Sequence, residues 1–158
     1  MENKGNIISM DTEDWKLKEL SKRAKRAKAY TIQTKVIESS KIIKRQEKSA
    51  DRLLLDVPCT GLGVIRRNPD TKWKLTPEFL AEVQQTQAAI IEDYSKMVKP
   101  GGKMVYATCS ILPAENEEQV EKFLNNHPDF ELEKQETILP YEEGFDGFFM
   151  ALLKRKEA

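Results

Sequence analysis

The chain has 158 residues, 33% charged and 39% apolar, and its 26 basic and 26 acidic residues cancel. This suits one soluble domain with a moderate core, and no apolar run approaches the roughly 20 residues that cross a bilayer. Two cysteines make no secreted disulfide framework and residues 1–5 open no signal-type stretch, so a cytoplasmic protein with free thiols is expected.

Residues 6–10 predict a short strand closing at Asp11. A helix over 13–28 follows, with Leu17, Leu20, Ala24 and Ala27 at 3-4-3 spacing. Its other positions are crowded with Lys16, Lys18, Lys22, Arg23, Lys25, Arg26 and Lys28, and residues 1–50 carry a net +6 against −6 for 51–158. A basic face can hold a phosphate backbone. A solvated helix face explains the same residues more simply, and zero overall charge does not single out a nucleic-acid binder.

Residues 30–37, rich in Thr, Ile and Val, predict a strand. Residues 39–49 read as a short polar helix, 52–56 as a buried strand, and 61–75 as a loop. Thr76-Pro77-Glu78 is a helix start, with a capping hydroxyl, Pro at the first position and then an acid. That helix should run to about Val98 on a stripe of Phe79, Leu80, Val83, Gln87, Ile90, Ile91 and Tyr94, and Lys99-Pro100-Gly101-Gly102 should end it. A strand over 103–107, an acid-started helix over 113–125 and strands over 130–137 and 148–154 complete the chain. This alternation argues for a largely parallel α/β sheet.

Two apolar strands each lead to a cysteine: Leu53-Leu54-Leu55-Asp56-Val57-Pro58-Cys59 and Met104-Val105-Tyr106-Ala107-Thr108-Cys109-Ser110. In α/β sheets ligands bind beyond the carboxyl ends of strands. Free cysteines also pack as small apolar residues, so location alone leaves both readings open. Asp11, after the first strand, could accept from a ribose or cap the following helix. Arg66, Arg67, Lys72 and Lys74 around Trp73 suit phosphates and stacked bases, or an ordinary surface loop. His127 is the only histidine and lies in a turn, so no metal site is expected. Glu115, Glu117 and Glu118 read as a charged helix start, with Asn116 bracing the loop that carries Cys109.

Asp56-Val57-Pro58-Cys59-Thr60-Gly61, Ala107-Thr108-Cys109-Ser110, Glu115-Asn116-Glu117 and Asp146-Gly147-Phe148-Phe149 together resemble the RNA cytosine-5 methyltransferases of the Sun/RsmB type, over residues 5–154. The resemblance implies a Rossmann-like class I methyltransferase sheet, helices on both faces, a C-terminal antiparallel hairpin, and S-adenosylmethionine as cofactor. It implies that Cys109 adds to C6 of a cytosine so that C5 can attack the methyl group, and that Cys59 assists release. Asp56 would bond the Watson–Crick edge of the base, and Pro58 would hold the backbone around the flipped-out nucleotide. Asp11 would take the cofactor ribose, with Asp56 and Pro58 bordering the cofactor. Arg66, Arg67, Lys72 and Trp73 would contact RNA, with ribosomal RNA the expected substrate.

The family's glycine-rich loop, which follows the first sheet strand, has no counterpart here. Gly61-Leu62-Gly63 follows the catalytic strand and Gly101-Gly102 precedes another. The expectation is therefore a partial catalytic domain lacking the first strand and that loop: 1–50 a remnant of the cofactor-binding half, 51–158 the catalytic and base-binding half. The gap would expose sheet edges to self-association and leave this chain alone inactive. Two other readings stay open. A DNA cytosine-5 methyltransferase would use Cys59 as nucleophile, though the Thr-Cys-Ser site and the lack of a large target-recognition region argue against it. A catalytically silent fold would bind RNA or a protein partner.

Overall fold

The computed structural model describes residues 1–157, Glu143 by its backbone alone. The chain divides into two units, Met1–Arg45 and Gln46 onward.

The first unit is a single β-α-β crossover. Strand β1 (Ile7–Asp11) pairs in parallel with β2 (Ile32–Val36), in register from Ile7↔Ile32 to Asp11↔Val36. Helix α1 (Asp14–Arg26) joins them and buries Leu17 and Ala24, the inner positions of the predicted spacing. It stops two residues earlier than expected. Lys28 adopts a left-handed φ of 55°, Lys28 N–H bonds Lys25 O and Ala29 N–H bonds Ala24 O. That closes the helix with a Schellman turn built on Lys instead of Gly. Lys18 pairs with Asp14, and Lys22 and Arg23 with Glu19, all on exposed side chains. A short α2 (Ser40–Lys44) buries Ile43.

The second unit is a four-stranded sheet in the order β3-β4-β6-β5. Strand β3 (Ala50–Asp56) runs parallel to β4 (Val98–Thr108); β6 (Phe148–Arg155) is antiparallel to β4 and to β5 (Phe130–Ile138). Between β3 and β4 lie α3 (Thr71–Lys74) and α4 (Pro77–Tyr94); α5 (Glu117–Asn126) leads to β5, and α6 (Pro140–Glu143) to β6. Leu55, Met104, Tyr106, Phe149 and Leu153 from the sheet form one buried cluster with Ile91 of α4 and Val120 and Phe123 of α5. Tyr106 and Phe149 meet edge to face at 6.4 Å. Thr76 caps α4, its hydroxyl accepting the Phe79 N–H at 3.2 Å.

Several boundaries depart from the sequence reading. The 52–56 strand is not buried throughout: in outer strand β3 only Leu55 is buried, and Leu54, on the opposite face, is 68% exposed. Helix α4 ends at Tyr94, and a 3-10 turn over Ser95–Met97 intervenes before Val98 opens β4. The Lys99-Pro100-Gly101-Gly102 run therefore lies inside a strand. It bulges there, since Ala50 pairs with Val98 and Arg52 with Lys103. A bulge tolerates a proline without N–H and the φ of +73° at Gly101. The 61–75 loop contains a 3-10 turn, Leu62–Val64, as well as α3. The 113–125 helix is broken at Asn116 (φ −112°, ψ −101°), which separates a 3-10 turn over Pro113–Glu115 from α5. Among the described residues no helix is long and apolar enough to cross a membrane.

Candidate active site

The parallel ladder of β3 and β4 ends with Leu55↔Tyr106 and Asp56↔Ala107, prolonged by Val57 N–H to Ala107 O at 3.2 Å. Strand β3 ends at Asp56 and β4 one residue beyond its partner, at Thr108. This register brings Cys59 and Cys109, fifty residues apart, to an Sγ–Sγ distance of 3.3 Å, each partly buried and neither in a disulfide. The expectation that the two cysteines end neighbouring parallel strands with their sulfurs brought together is met.

The pair is electrostatically unequal. The Cys59 thiol bonds the Cys109 sulfur, and that bond brings Cys109 down to about 7 against the opposing effects of burial and of the Asp56 and Glu115 charges. The same bond, reinforced by burial, pushes Cys59 up from the ordinary thiol range. Cys109 is therefore the first of the two to give up its proton, while Cys59 keeps its own. A lowered thiol beside a donor is what a nucleophilic cysteine needs.

Under the sulfurs lies a polar knot with little or no exposure to water. Glu115 is fully buried, and its carboxylate accepts four hydrogen bonds. Its Oε1 takes the Thr60 N–H at 2.8 Å and Gln87 Nε2 at 3.1 Å; its Oε2 takes the Thr60 and Ser110 hydroxyls, each at 2.5 Å. Gln87 Nε2 also donates to Pro58 O at 2.9 Å. The Tyr106 hydroxyl donates to Glu115 O at 2.7 Å. Asn116 accepts from Thr108 Oγ1 at 2.6 Å and donates to Ser110 O at 3.0 Å, the bracing expected of it. A third segment closes the back: Gly63 N–H bonds Cys109 O at 2.9 Å, and Gly147 N–H bonds Gly63 O at 2.8 Å.

Sequence reasoning missed two members of this knot. Glu115 read as a helix-start acid and Gln87 as part of an apolar stripe; both are fully buried. The available signal was Gln87 itself, since an amide on a core-facing helix position requires a buried partner.

Asp56 is exposed at the end of β3, on the same strand end as the cysteines. Arg66 Nη1 donates to Gly144 O at 3.3 Å, and Arg67 pairs with Asp146 at 2.6 Å, so Arg67 is engaged within the protein. Lys72 lies 4.8 Å over the ring of Trp73, which is 79% exposed on α3. Asp11, in the first unit, closes β1, and its Oδ1 accepts the Glu13 N–H at 2.8 Å, a helix-start role. His127 stacks on Phe123 at 4.4 Å and bonds Glu92 at 2.6 Å. No group of His, Cys, Asp and Glu among the described residues could hold a metal ion.

A family model described as 16S rRNA methyltransferase RsmB/F matches residues 1–154. The chain is 37% identical to the probable ribosomal RNA small subunit methyltransferase B of Synechocystis sp. over 98% of its own length and 39% of that relative's. It thus spans about two fifths of such relatives. Among solved structures, PH0851 superposes with a TM-score of 0.90 at 35% identity, covering 98% of this chain and 38% of that one. NSun6 from Pyrococcus horikoshii with SFG gives 0.87 at 28% identity, covering 99% and 43%.

Proposed function

This chain belongs to the 16S rRNA methyltransferase RsmB/F family, and from that membership we propose that it takes part in methyl transfer from S-adenosylmethionine to C5 of a cytosine in ribosomal RNA. The observation that carries the reading is the cysteine pair: two thiols 3.3 Å apart, one held low and the other high. Cytosine C5 is a weak nucleophile. The Cys109 thiolate adds to C6, its Sγ–C6 bond forming as electron density moves onto C5. S-adenosylmethionine supplies the electrophilic methyl group. Release then requires loss of the C5 proton and cleavage of the Sγ–C6 bond, which returns Cys109 to the thiolate.

Cys59 suits the second half of this sequence. Its proton is held mainly by the bond to Cys109. Once the Cys109 sulfur is committed to C6 it is no longer an anion, and the main cause of that retention is gone. Cys59 can then join in moving the proton that must leave. Asp56 is the exposed carboxylate beside the pair, available to the amino group of cytosine and to its N3 once that nitrogen is protonated, and Pro58 is anchored through its carbonyl by Gln87. Trp73, Lys72 and Arg66 offer stacking and phosphate pairing for the flanking strand.

For the cofactor, Asp11 fits a ribose: Oδ1 is engaged by Glu13 N–H, and the carboxylate has a second oxygen for a hydroxyl. Incubating 16S rRNA with labelled S-adenosylmethionine and a full-length family member carrying this segment, then digesting to nucleosides, tests the proposal. Label should appear in 5-methylcytidine and vanish with Cys109→Ala. Label on another atom, or survival of transfer in Cys109→Ala, would overturn it.

A further inference from the structure

We propose that Glu115 is the positioning residue of the cysteine pair: its buried carboxylate ties the loop leaving β3 to the loop leaving β4 and so fixes the approach of Cys59 to Cys109. The inference rests on the reading of Cys109 as nucleophile and adds what holds it in place. Thr60 directly follows Cys59, and Ser110 directly follows Cys109. Three of the four hydrogen bonds that the Glu115 carboxylate accepts come from these two residues, and the fourth comes from Gln87, which also grips Pro58. One side chain therefore holds the residues adjoining both sulfurs. No water can take its place, because Glu115 and Ser110 are fully buried and Thr60 is 5% exposed.

Charge does not explain the acid. A negative group here works against the Cys109 thiolate, and the Glu115 charge does raise Cys109. A neutral amide of the same length would be electrostatically better. It could not, however, accept on both ends. A glutamine oxygen could keep Thr60 N–H and Gln87 Nε2, but its NH2 would have to donate to the Thr60 and Ser110 hydroxyls, whose own protons would then have only the 3.4 Å contact between the two oxygens to share, leaving one buried O–H unpaired. The carboxylate's contribution is acceptor geometry. Among the described residues no hydrogen bond joins Glu115 to either sulfur, so its hold on the pair passes through the loops.

The two explanations predict opposite signs for Glu115→Gln. The readout is iodoacetamide alkylation of Cys109 in the intact chain as a function of pH, with the site identified by peptide mass spectrometry. Positioning predicts that the loops drift, the Cys59–Cys109 bond weakens, and the midpoint rises from about 7 toward an ordinary thiol value of about 8.5. The rate at neutral pH should fall several-fold, the loss of thiolate being partly offset by the greater nucleophilicity of a more basic sulfur. An unchanged profile, or faster alkylation at neutral pH, would overturn the proposal. If Glu115→Gln does not fold, as judged by circular dichroism, Ser110→Ala removes one of the tethering hydroxyls and should move the midpoint the same way by less. No movement there would be equally contrary. The measurement needs neither RNA nor cofactor, so it can fail while Cys109→Ala still abolishes methyl transfer, and the reverse.

Discussion

Gly63→Ala should disable the back of the site although it adds one methyl group and sits on ordinary backbone. A Cβ at Gly63 would lie 2.4 Å from Gly147 O, 2.7 Å from Gly147 C and 2.8 Å from Cys109 O. Non-bonded heavy atoms rest at about 3.5 Å or more, so the segments must part by about 1 Å, and every obstructing atom is backbone. That motion breaks the two bonds that hold them, Gly63 N–H to Cys109 O and Gly147 N–H to Gly63 O. Two lost hydrogen bonds at ~1 kcal/mol each with ~1–2 kcal/mol of overpacking give about 3–4 kcal/mol. Urea unfolding followed by far-UV circular dichroism measures it. Gly147→Ala is the control: its Cβ meets Gly63 Cα at 2.9 Å, but its closest neighbour, at 2.5 Å, is the Ile111 side chain, which can rotate. It should cost less. A Gly63→Ala loss below ~0.5 kcal/mol, within the range of an unremarkable surface change, would refute the close-approach argument.

Three further outcomes are expected. Alkylation of Cys109 should titrate with a midpoint of about 7, and Cys59→Ala should raise that midpoint, because removing the donor removes the principal stabilisation of the thiolate. Phe149→Ala, at a fully buried position against Tyr106, should cost ~3–5 kcal/mol in the same urea assay. Thr76→Ala should cost ~1 kcal/mol through the lost cap on α4.

What the sequence revealed and what it hid have physical reasons. The strand-end cysteines were legible because apolar runs locate strands, and parallel neighbours in an α/β sheet deliver their ends to one side. Thr76-Pro77-Glu78 was legible because capping is local chemistry. The end of α4 was not: Lys99-Pro100-Gly101-Gly102 carries stop residues, yet pairing with β3 pulls it into β4 as a bulge. The three leucines of β3 implied burial on both sides, whereas Leu54 is largely exposed. Glu115 was hidden for a different reason. Its partners Thr60 and Gln87 lie 55 and 28 residues away, and nothing in an acid after a proline distinguishes a buried acceptor from a solvated helix start.

The most direct test of the central claim is adduct trapping. In a full-length family member, Cys59→Ala incubated with 16S rRNA and S-adenosylmethionine should accumulate a denaturation-resistant protein–RNA species mapped to Cys109, because addition proceeds while release fails. An adduct that forms with Cys109→Ala and not with Cys59→Ala would exchange the two roles and contradict the account.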